Sequence, residues 1–308
     1  MVGRTGSPSA DHTLGLCPRR LMLATFDGSG RPPAIQIRIT SMTPPPDGLP
    51  EILALLPTSW RRELGLHEIS LIDSGMSGAS VLRIGPPESA GAYLKIAHGR
   101  AVADLRDEIA RTRWLAQKGI RVPDISRVFE SDEISAVLTG AVSGAPAFQH
   151  GWQLARDIEA VARGLRQLHS LSVEDCPFDE TIRVRLARAN QEIDRGAVDP
   201  SHFDPRNAGI APRTLWERLT AEIPEENLVV VHGDATPANI LIDSEGQVGF
   251  IDCGRAGRSD RYTDLALLVE ELRNEFGPEA AESFLRAYGD AGWNERKALY
   301  FLDLYELF

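Results

Sequence analysis

A chain of 308 residues with 43% hydrophobic content can bury one large core or two small ones, and its formal net charge of −11 disfavours non-specific contact with nucleic acid while suiting a cationic partner. No apolar run approaches the roughly 18 residues that mark a membrane span, and no charged-then-apolar leader opens the chain, so the expectation is a cytoplasmic protein without a membrane partner. Three widely spaced cysteines, Cys17, Cys176 and Cys253, fit neither a disulfide framework nor a zinc pattern, which agrees with a reducing compartment.

Residues 1–48 are rich in Gly, Pro, Ser and Arg, include Pro44-Pro45-Pro46, and carry five Arg against three Asp, a net of +2 that leaves −13 for the remainder. They allow at most one short strand around 34–39 and have no core of their own, so this segment is expected to be a disordered extension. From Leu49 the pattern changes to a helix with Leu53, Leu56 and Trp60 on one stripe. Strands over 67–72, 80–84 and 92–96 follow, the first two joined by the small-residue turn Gly75-Met76-Ser77-Gly78. Such a tip, with Ser77 in it, can fold over phosphates because glycine lets backbone N–H groups approach closely. A plain hairpin turn would use the same residues, but the tip lies one strand before Lys95, a charged residue in an otherwise buried strand.

A helix over 101–118 places Leu105, Ile109 and Leu115 on one face and stops at Gly119. Glu108 falls on that apolar stripe, where an unpaired charge would cost several kcal/mol, so it needs a cation, and Lys95 is the nearest candidate in the pattern. Strands over 125–129 and 134–139 complete a small antiparallel sheet, and the linker Thr139-Gly140-Ala141-Val142-Ser143-Gly144 marks a boundary. Helices are then expected over 153–171, with Leu154, Ile158, Val161, Leu165 and Leu168 inward, over 180–196 and over 214–222. His169, at a helix end, reads as a packed or capping residue rather than a metal ligand.

The run from Leu228 to Val231 is a short buried strand that turns at Gly233 and leaves Asp234 at its exit. Asn239 comes five residues on, and a second β run over 248–251 delivers Asp252 to another glycine-containing turn. Asn and Asp oxygens on adjacent strands suit magnesium, Mg²⁺, which takes hard oxygen ligands and completes its shell with waters and phosphates. Asp234 is then left to act as a base. A helix over 261–276 turns Leu265, Leu268, Leu272 and Phe276 inward, with Asp260 placed to cap its amino end. Asp260 and Asp264 are expected to brace the metal loop.

The spacing of Asp234, Asn239 and Asp252, with Lys95 and Glu108 upstream, resembles the kinase arrangement. His232-Gly233-Asp234 and Asp252-Cys253-Gly254, followed by Arg255, Gly257, Asp260, Arg261 and Asp264, resemble the aminoglycoside phosphotransferases, in particular the 3′-phosphotransferase (kanamycin kinase) branch. Cys176-Pro177-Phe178-Asp179 and the carboxyl end extend the resemblance, which runs from about residue 49 to Phe308. Because it begins only after Met42, an upstream start would account for the extension.

The resemblance implies a mixed α/β fold of protein-kinase-like type. Residues 49–140 would form a nucleotide-binding lobe with an antiparallel sheet, and 141–308 a larger helical lobe for catalysis and substrate. It implies ATP and Mg²⁺ as cofactors and a cationic aminoglycoside as substrate. Lys95, fixed by Glu108, would hold phosphates, Asn239 and Asp252 the metal, and Asp234 the acceptor hydroxyl. Ala141 and Val142 would offer backbone groups to the adenine edge, while Tyr93 stands equally as a stacking or a core aromatic. Substrate contacts would come from Asp204, Glu270, Glu271, Glu306 and the terminal carboxylate of Phe308, although the glutamates could also line a solvated helix face. Two departures, Arg206 in the acidic loop and Tyr305 where many relatives carry Asp, point to a narrowed drug range or to another hydroxyl acceptor. A non-catalytic nucleotide-binding module has no need of the complete set Lys95, Asp234, Asn239 and Asp252.

Overall fold

In the computed structural model, residues 49–73, 78–86, 91–149, 153–289 and 292–308 are described, so the expected extension over 1–48 and Ser77 lie outside the described residues. The chain enters through α1 (Leu49–Ala54) and α2 (Thr58–Leu64), then runs β1 (Ile69–Asp73), β2 (Ala79–Ile84), β3 (Ala92–His98), α3 (Ala101–Gln117), β4 (Ile125–Glu130) and β5 (Ile134–Gly140). The single helix expected after Leu49 is two, because Pro57 lacks an N–H and disfavours helical backbone at Leu56. Leu49, Leu56, Trp60 and Leu64 are nevertheless buried together, while Leu53 is only partly covered.

The five strands form one antiparallel sheet in the order β1-β2-β3-β5-β4. Alternation along β3 decides what each face does. Leu94 and Ile96 pack under α1 and α2, while Ala97 packs with Leu105 and Ile109 of α3 and with Val137 of β5. The two-residue period therefore sends Tyr93 and Lys95 to the α3 face. Each fully buried Leu or Ile contributes about 1.5–3 kcal/mol to this arrangement.

The second half is mainly helical: β6 (Ala145–Pro146), α4 (Leu154–His169), α5 (Ile182–Asp194), α6 (Pro212–Ala221), β7 (Leu228–Val231), β8 (Ile240–Ile242), β9 (Val248–Phe250), β10 (Gly257–Asp260), α7 (Tyr262–Phe276), α8 (Pro278–Tyr288) and α9 (Glu295–Tyr305). The expected stripe of α4, Ile158, Val161, Leu165 and Leu168, packs against Leu265, Leu268 and Leu272 of α7 and Phe284 of α8. A second cluster joins α5, α6 and α9 through Leu186, Leu215, Phe301 and Leu304. Two small sheets carry the loops of interest, with β7 pairing antiparallel to β10 and β8 lying between β6 and β9. No helix among the described residues is long and apolar enough to cross a membrane.

Candidate active site

Strand β7 ends in His232-Gly233-Asp234, and the turn there requires glycine. Gly233 has φ +85°, and a Cβ would be driven into the backbone carbonyl of Arg255. Buried Asp264 on α7 holds the turn. Its carboxylate accepts the N–H groups of His232 (2.7 Å) and Gly233 (2.8 Å), and lies 3.0 Å from His169 Nε2, whose ring places Nδ1 2.7 Å from the Tyr288 hydroxyl. Burial pushes the Asp264 carboxyl up, but His169, His232 and the backbone donor outweigh it and leave the group below the usual carboxylate range. Asp264 thus braces the turn at His232-Gly233-Asp234, a correction to the expectation that it braces the loop at Asp252. The packed His169 is part of the same brace. Asp260 does cap α7, accepting the Tyr262 N–H (2.9 Å), and it also pairs with Lys297 (2.6 Å).

The turn at Asp234 and the loop at Asp252 are stitched through His232. Its Nε2 donates to the Ile251 carbonyl (2.8 Å), while its Nδ1 accepts the Asp234 N–H (3.3 Å). Asn239 Nδ2 donates to the Asp234 carbonyl and to Asp234 Oδ2, both at 3.0 Å, and the Asn239 carbonyl accepts the Ile251 N–H at 3.0 Å. The other oxygen of the Asp234 carboxylate, Oδ1, accepts the Tyr305 hydroxyl at 2.7 Å. Asp252 follows Ile251 in a left-handed conformation (φ 54°, ψ 51°), an uncommon state for a non-glycine residue that turns its side chain back toward β3. There Lys95 Nζ bridges Asp252 Oδ1 (3.0 Å) and Glu108 Oε2 (2.7 Å). Burial pulls Lys95 down, but Asp252 and Glu108 together hold it above the usual lysine range, so it stays charged.

These residues fit a magnesium ion shared with a nucleotide. With both Asn239 amide hydrogens directed at Asp234, its Oδ1 is left as a ligand oxygen, and Asp252 supplies a carboxylate that already meets one cation. No cluster of three acidic, imidazole or thiol ligands occurs among the described residues. A pair of hard oxygens that relies on waters and phosphates for the rest of its shell is the Mg²⁺ pattern.

A further anchor went unread in the sequence. Arg111, three residues after Glu108 on α3, is buried, donates to the Ala256 carbonyl (2.5 Å) and pairs with buried Glu180 (2.9 Å), which is also gripped by Arg188 at 2.9 and 3.0 Å. The helix that carries Glu108 is thereby tied to the segment just after Asp252. Phe178 and Glu180 also run along β10, with the Phe178 carbonyl accepting the Arg258 N–H (2.8 Å). The signal in the sequence was a second charged residue on the apolar stripe of α3.

Other expected site residues are placed as follows. Tyr93 is half-buried on the face shared with Lys95, and Ala141 and Val142, also half-buried, follow β5 directly. Asp204 accepts both the N–H and Nε of Arg206 (2.9 and 2.8 Å), so Arg206 neutralises this carboxylate rather than standing apart from it. Glu306 accepts from Asn207 Nδ2 (3.2 Å), which also donates to Asp303 (2.8 Å), a residue sequence reasoning missed. Burial pushes the Glu306 carboxyl up, Asn207 opposing and the nearby Asp303 and Asp204 adding to it, to about 7. The Phe308 ring lies between the guanidiniums of Arg185 (5.4 Å) and Arg255 (4.7 Å), which anchors the carboxyl end. Glu270 and Glu271 are half-buried on α7, and Glu270 faces Arg273 at 3.5 Å.

Over residues 68–299 the sequence matches the Phosphotransferase enzyme family. It is 36% identical over 263 residues to an aminoglycoside 3′-phosphotransferase of Streptomyces fradiae, covering 80% of this chain and 98% of the relative. The crystal structure of an aminoglycoside-3′-phosphotransferase of type VIII superposes with a TM-score of 0.75 at 32% identity, covering 85% of this chain and 100% of that one. The aminoglycoside phosphotransferase APH(3″)-Id of Streptomyces rimosus, solved in complex with ADP and streptomycin, gives a TM-score of 0.65 at 30% identity, covering 76% and 94%.

Proposed function

The chain belongs to the phosphotransferase enzyme family, and from that premise we propose that it transfers the γ-phosphate of ATP to a hydroxyl, the 3′, of an aminoglycoside antibiotic and so confers resistance. The observation that carries this reading is the linkage of Lys95 to Glu108 and Asp252, and of Asp234 to Asn239, whose carbonyl accepts the N–H of Ile251 beside Asp252. Phosphoryl transfer needs little covalent help, so these residues divide into positioning and charge neutralisation. Lys95, held by Glu108, binds phosphate oxygens. Asn239 and Asp252 would hold Mg²⁺, which supplies charge neutralisation on the transferring group. Asp234 orients the acceptor hydroxyl and takes its proton. Tyr93, Ala141 and Val142 line the route to the adenine. The cysteine pattern supports a cytoplasmic location.

The acceptor is a polycation, and the acidic groups gathered at Asn207, next to the Tyr305 that reaches Asp234, suit it. Exposed ion pairs give about 0.2–1 kcal/mol each, whereas micromolar affinity needs about 8 kcal/mol. Several carboxylates must therefore act together: Asp204, Glu270 and Asp303, which would exchange Arg206, Arg273 and Arg218 for substrate ammonium groups, with Glu271, Glu306 and the Phe308 carboxylate. Incubating the full chain with Mg²⁺, ATP and kanamycin tests the reading, with a kanamycin product heavier by one phosphate expected. Transfer to streptomycin and not to kanamycin would favour a second reading, phosphorylation at a different hydroxyl, to which the fit with the Streptomyces rimosus enzyme lends support.

The position of Glu306 makes the enzyme's pH response informative. A carboxyl raised from 4.5 to about 7 favours folding below pH 4.5, and that contribution is lost as pH rises through about 7. Only the ionised form pairs with an ammonium group. Relative to a Glu306→Gln variant, wild-type affinity for kanamycin is expected to increase up to about tenfold between pH 6 and 8, while the melting temperature difference moves the other way. Parallel pH profiles in the two proteins would remove Glu306 from the substrate site.

A further inference from the structure

The base of this site is already hydrogen-bonded on both oxygens. Asp234 Oδ2 accepts from Asn239, on the side of the metal loop, and Oδ1 accepts the Tyr305 hydroxyl at 2.7 Å. In the proposed reaction an alcohol must present its O–H to Asp234 within about 2.6–3.2 Å, and Oδ1 is the oxygen turned away from Asn239. Tyr305 meets that requirement itself: it is an O–H donor at an acceptor's distance from the base.

The backbone beneath Tyr305 is fixed. It is the last residue of α9, Leu304 and Leu307 on either side are fully buried, and the Phe308 ring is held between Arg185 and Arg255. The Tyr305 side chain itself is only half-buried. Displacement of this half-buried phenol by a substrate would call for a side-chain rotation rather than a shift of the helix. When no substrate is bound, the phenol covers the oxygen on which a water would otherwise be activated.

We propose that Tyr305 is a specificity-determining residue of the acceptor site, an internal stand-in for the acceptor hydroxyl that substrate must displace and that keeps water from the base until it does. Acceptors that bring ammonium groups to the neighbouring carboxylates can displace it, and simple alcohols and water cannot. The inference rests on the reading of Asp234 as the base of an ATP-dependent transfer. Tyr305→Phe keeps the ring and removes only the hydroxyl, and a melting curve with and without Mg-ADP establishes that the variant folds and binds nucleotide.

In that variant, ADP release without any acceptor is expected to rise about tenfold, and KM for kanamycin to fall by about the same factor, as follows from removing a competing hydrogen bond to a charged group. The gain in kcat/KM should come through KM, a split that a purely structural role would not produce. A fall in kcat, with KM and acceptor-free ADP release unchanged, would instead make Tyr305 a residue that holds Asp234 through the reaction and would overturn the inference. So would phosphate on Tyr305 of the wild-type protein after incubation with ATP, which would make the phenol an acceptor. Kanamycin turnover by the wild type is the control. Its absence defeats the functional reading itself, whereas its presence with an unaltered Tyr305→Phe variant defeats only this inference.

Discussion

Replacing Asp234 with asparagine is expected to lower kcat by roughly 10²-fold or more while leaving KM for both substrates within a fewfold of wild type. The substitution removes the capacity to take a proton and changes little else. The main chain of the turn does not depend on the Asp234 side chain, because Asp264 holds the N–H groups of His232 and Gly233, and His232 accepts the Asp234 N–H. An asparagine can still accept from Asn239 or Tyr305 through its one carbonyl oxygen. A melting temperature close to wild type with a kcat lowered by that amount would separate chemistry from folding. Full activity in a clean preparation would remove Asp234 from the role of base.

The largest effect on stability is expected at Asp264. Alanine there would strand three buried donors, the N–H groups of His232 and Gly233 and the ring nitrogen of His169. An unsatisfied buried polar group costs about 1–3 kcal/mol, and breaking a buried pair by removing one partner costs about 3–5 kcal/mol. Asp264→Ala should therefore lower unfolding free energy by about 3–5 kcal/mol in a denaturant titration. Asp264→Asn should also change the acid limb. The folded carboxyl lies below its usual 3.8, so its contribution is present above pH 3.8 and is lost as pH falls through the folded value. The asparagine variant lacks that loss and should show a flatter stability profile below about pH 4. An unchanged denaturation midpoint in the alanine variant would contradict the bracing role.

The parts of this site that could be read from sequence are those marked by a local conflict. Lys95 is a charge in an apolar strand and Glu108 a carboxylate on an apolar helix stripe, and such misfits need partners wherever the chain ends up. Asp234 and Asp252 stand at strand exits beside glycines, positions where turn chemistry and function coincide. The pieces that escaped notice depend on distant packing. Strand β10 reads Gly257-Arg258-Ser259-Asp260, with no apolar residue to signal a strand, and it forms because β7 offers it a ladder. Helix α8 buries Ala280, Ala281 and Phe284, a face too small to stand out as a stripe.

Side-chain contacts between remote segments were less legible still. Tyr305 lies 71 residues from Asp234 and Arg111 lies 145 residues from Ala256, and no periodicity connects either pair. The same limit explains Asp264. Its place at the head of a helix suggested a brace, but only the hydrogen bonds from His232 and Gly233 show that the turn at Asp234 is what it holds. Arg206, which stood out as a departure in the acidic loop, proves to be paired with Asp204 on its own loop.

The most direct test of the account is ATP consumption by the purified full chain with Mg²⁺, comparing kanamycin with an analogue that differs only in lacking the 3′-hydroxyl, against a blank without acceptor. Turnover with kanamycin and a rate no higher than the blank with the 3′-deoxy analogue is the expected result, since Asp234 can act only on a hydroxyl that is present. Equal turnover with both compounds would contradict the assignment of the 3′ position, and no turnover above the blank with either, in protein shown to bind ATP, would contradict the aminoglycoside as substrate.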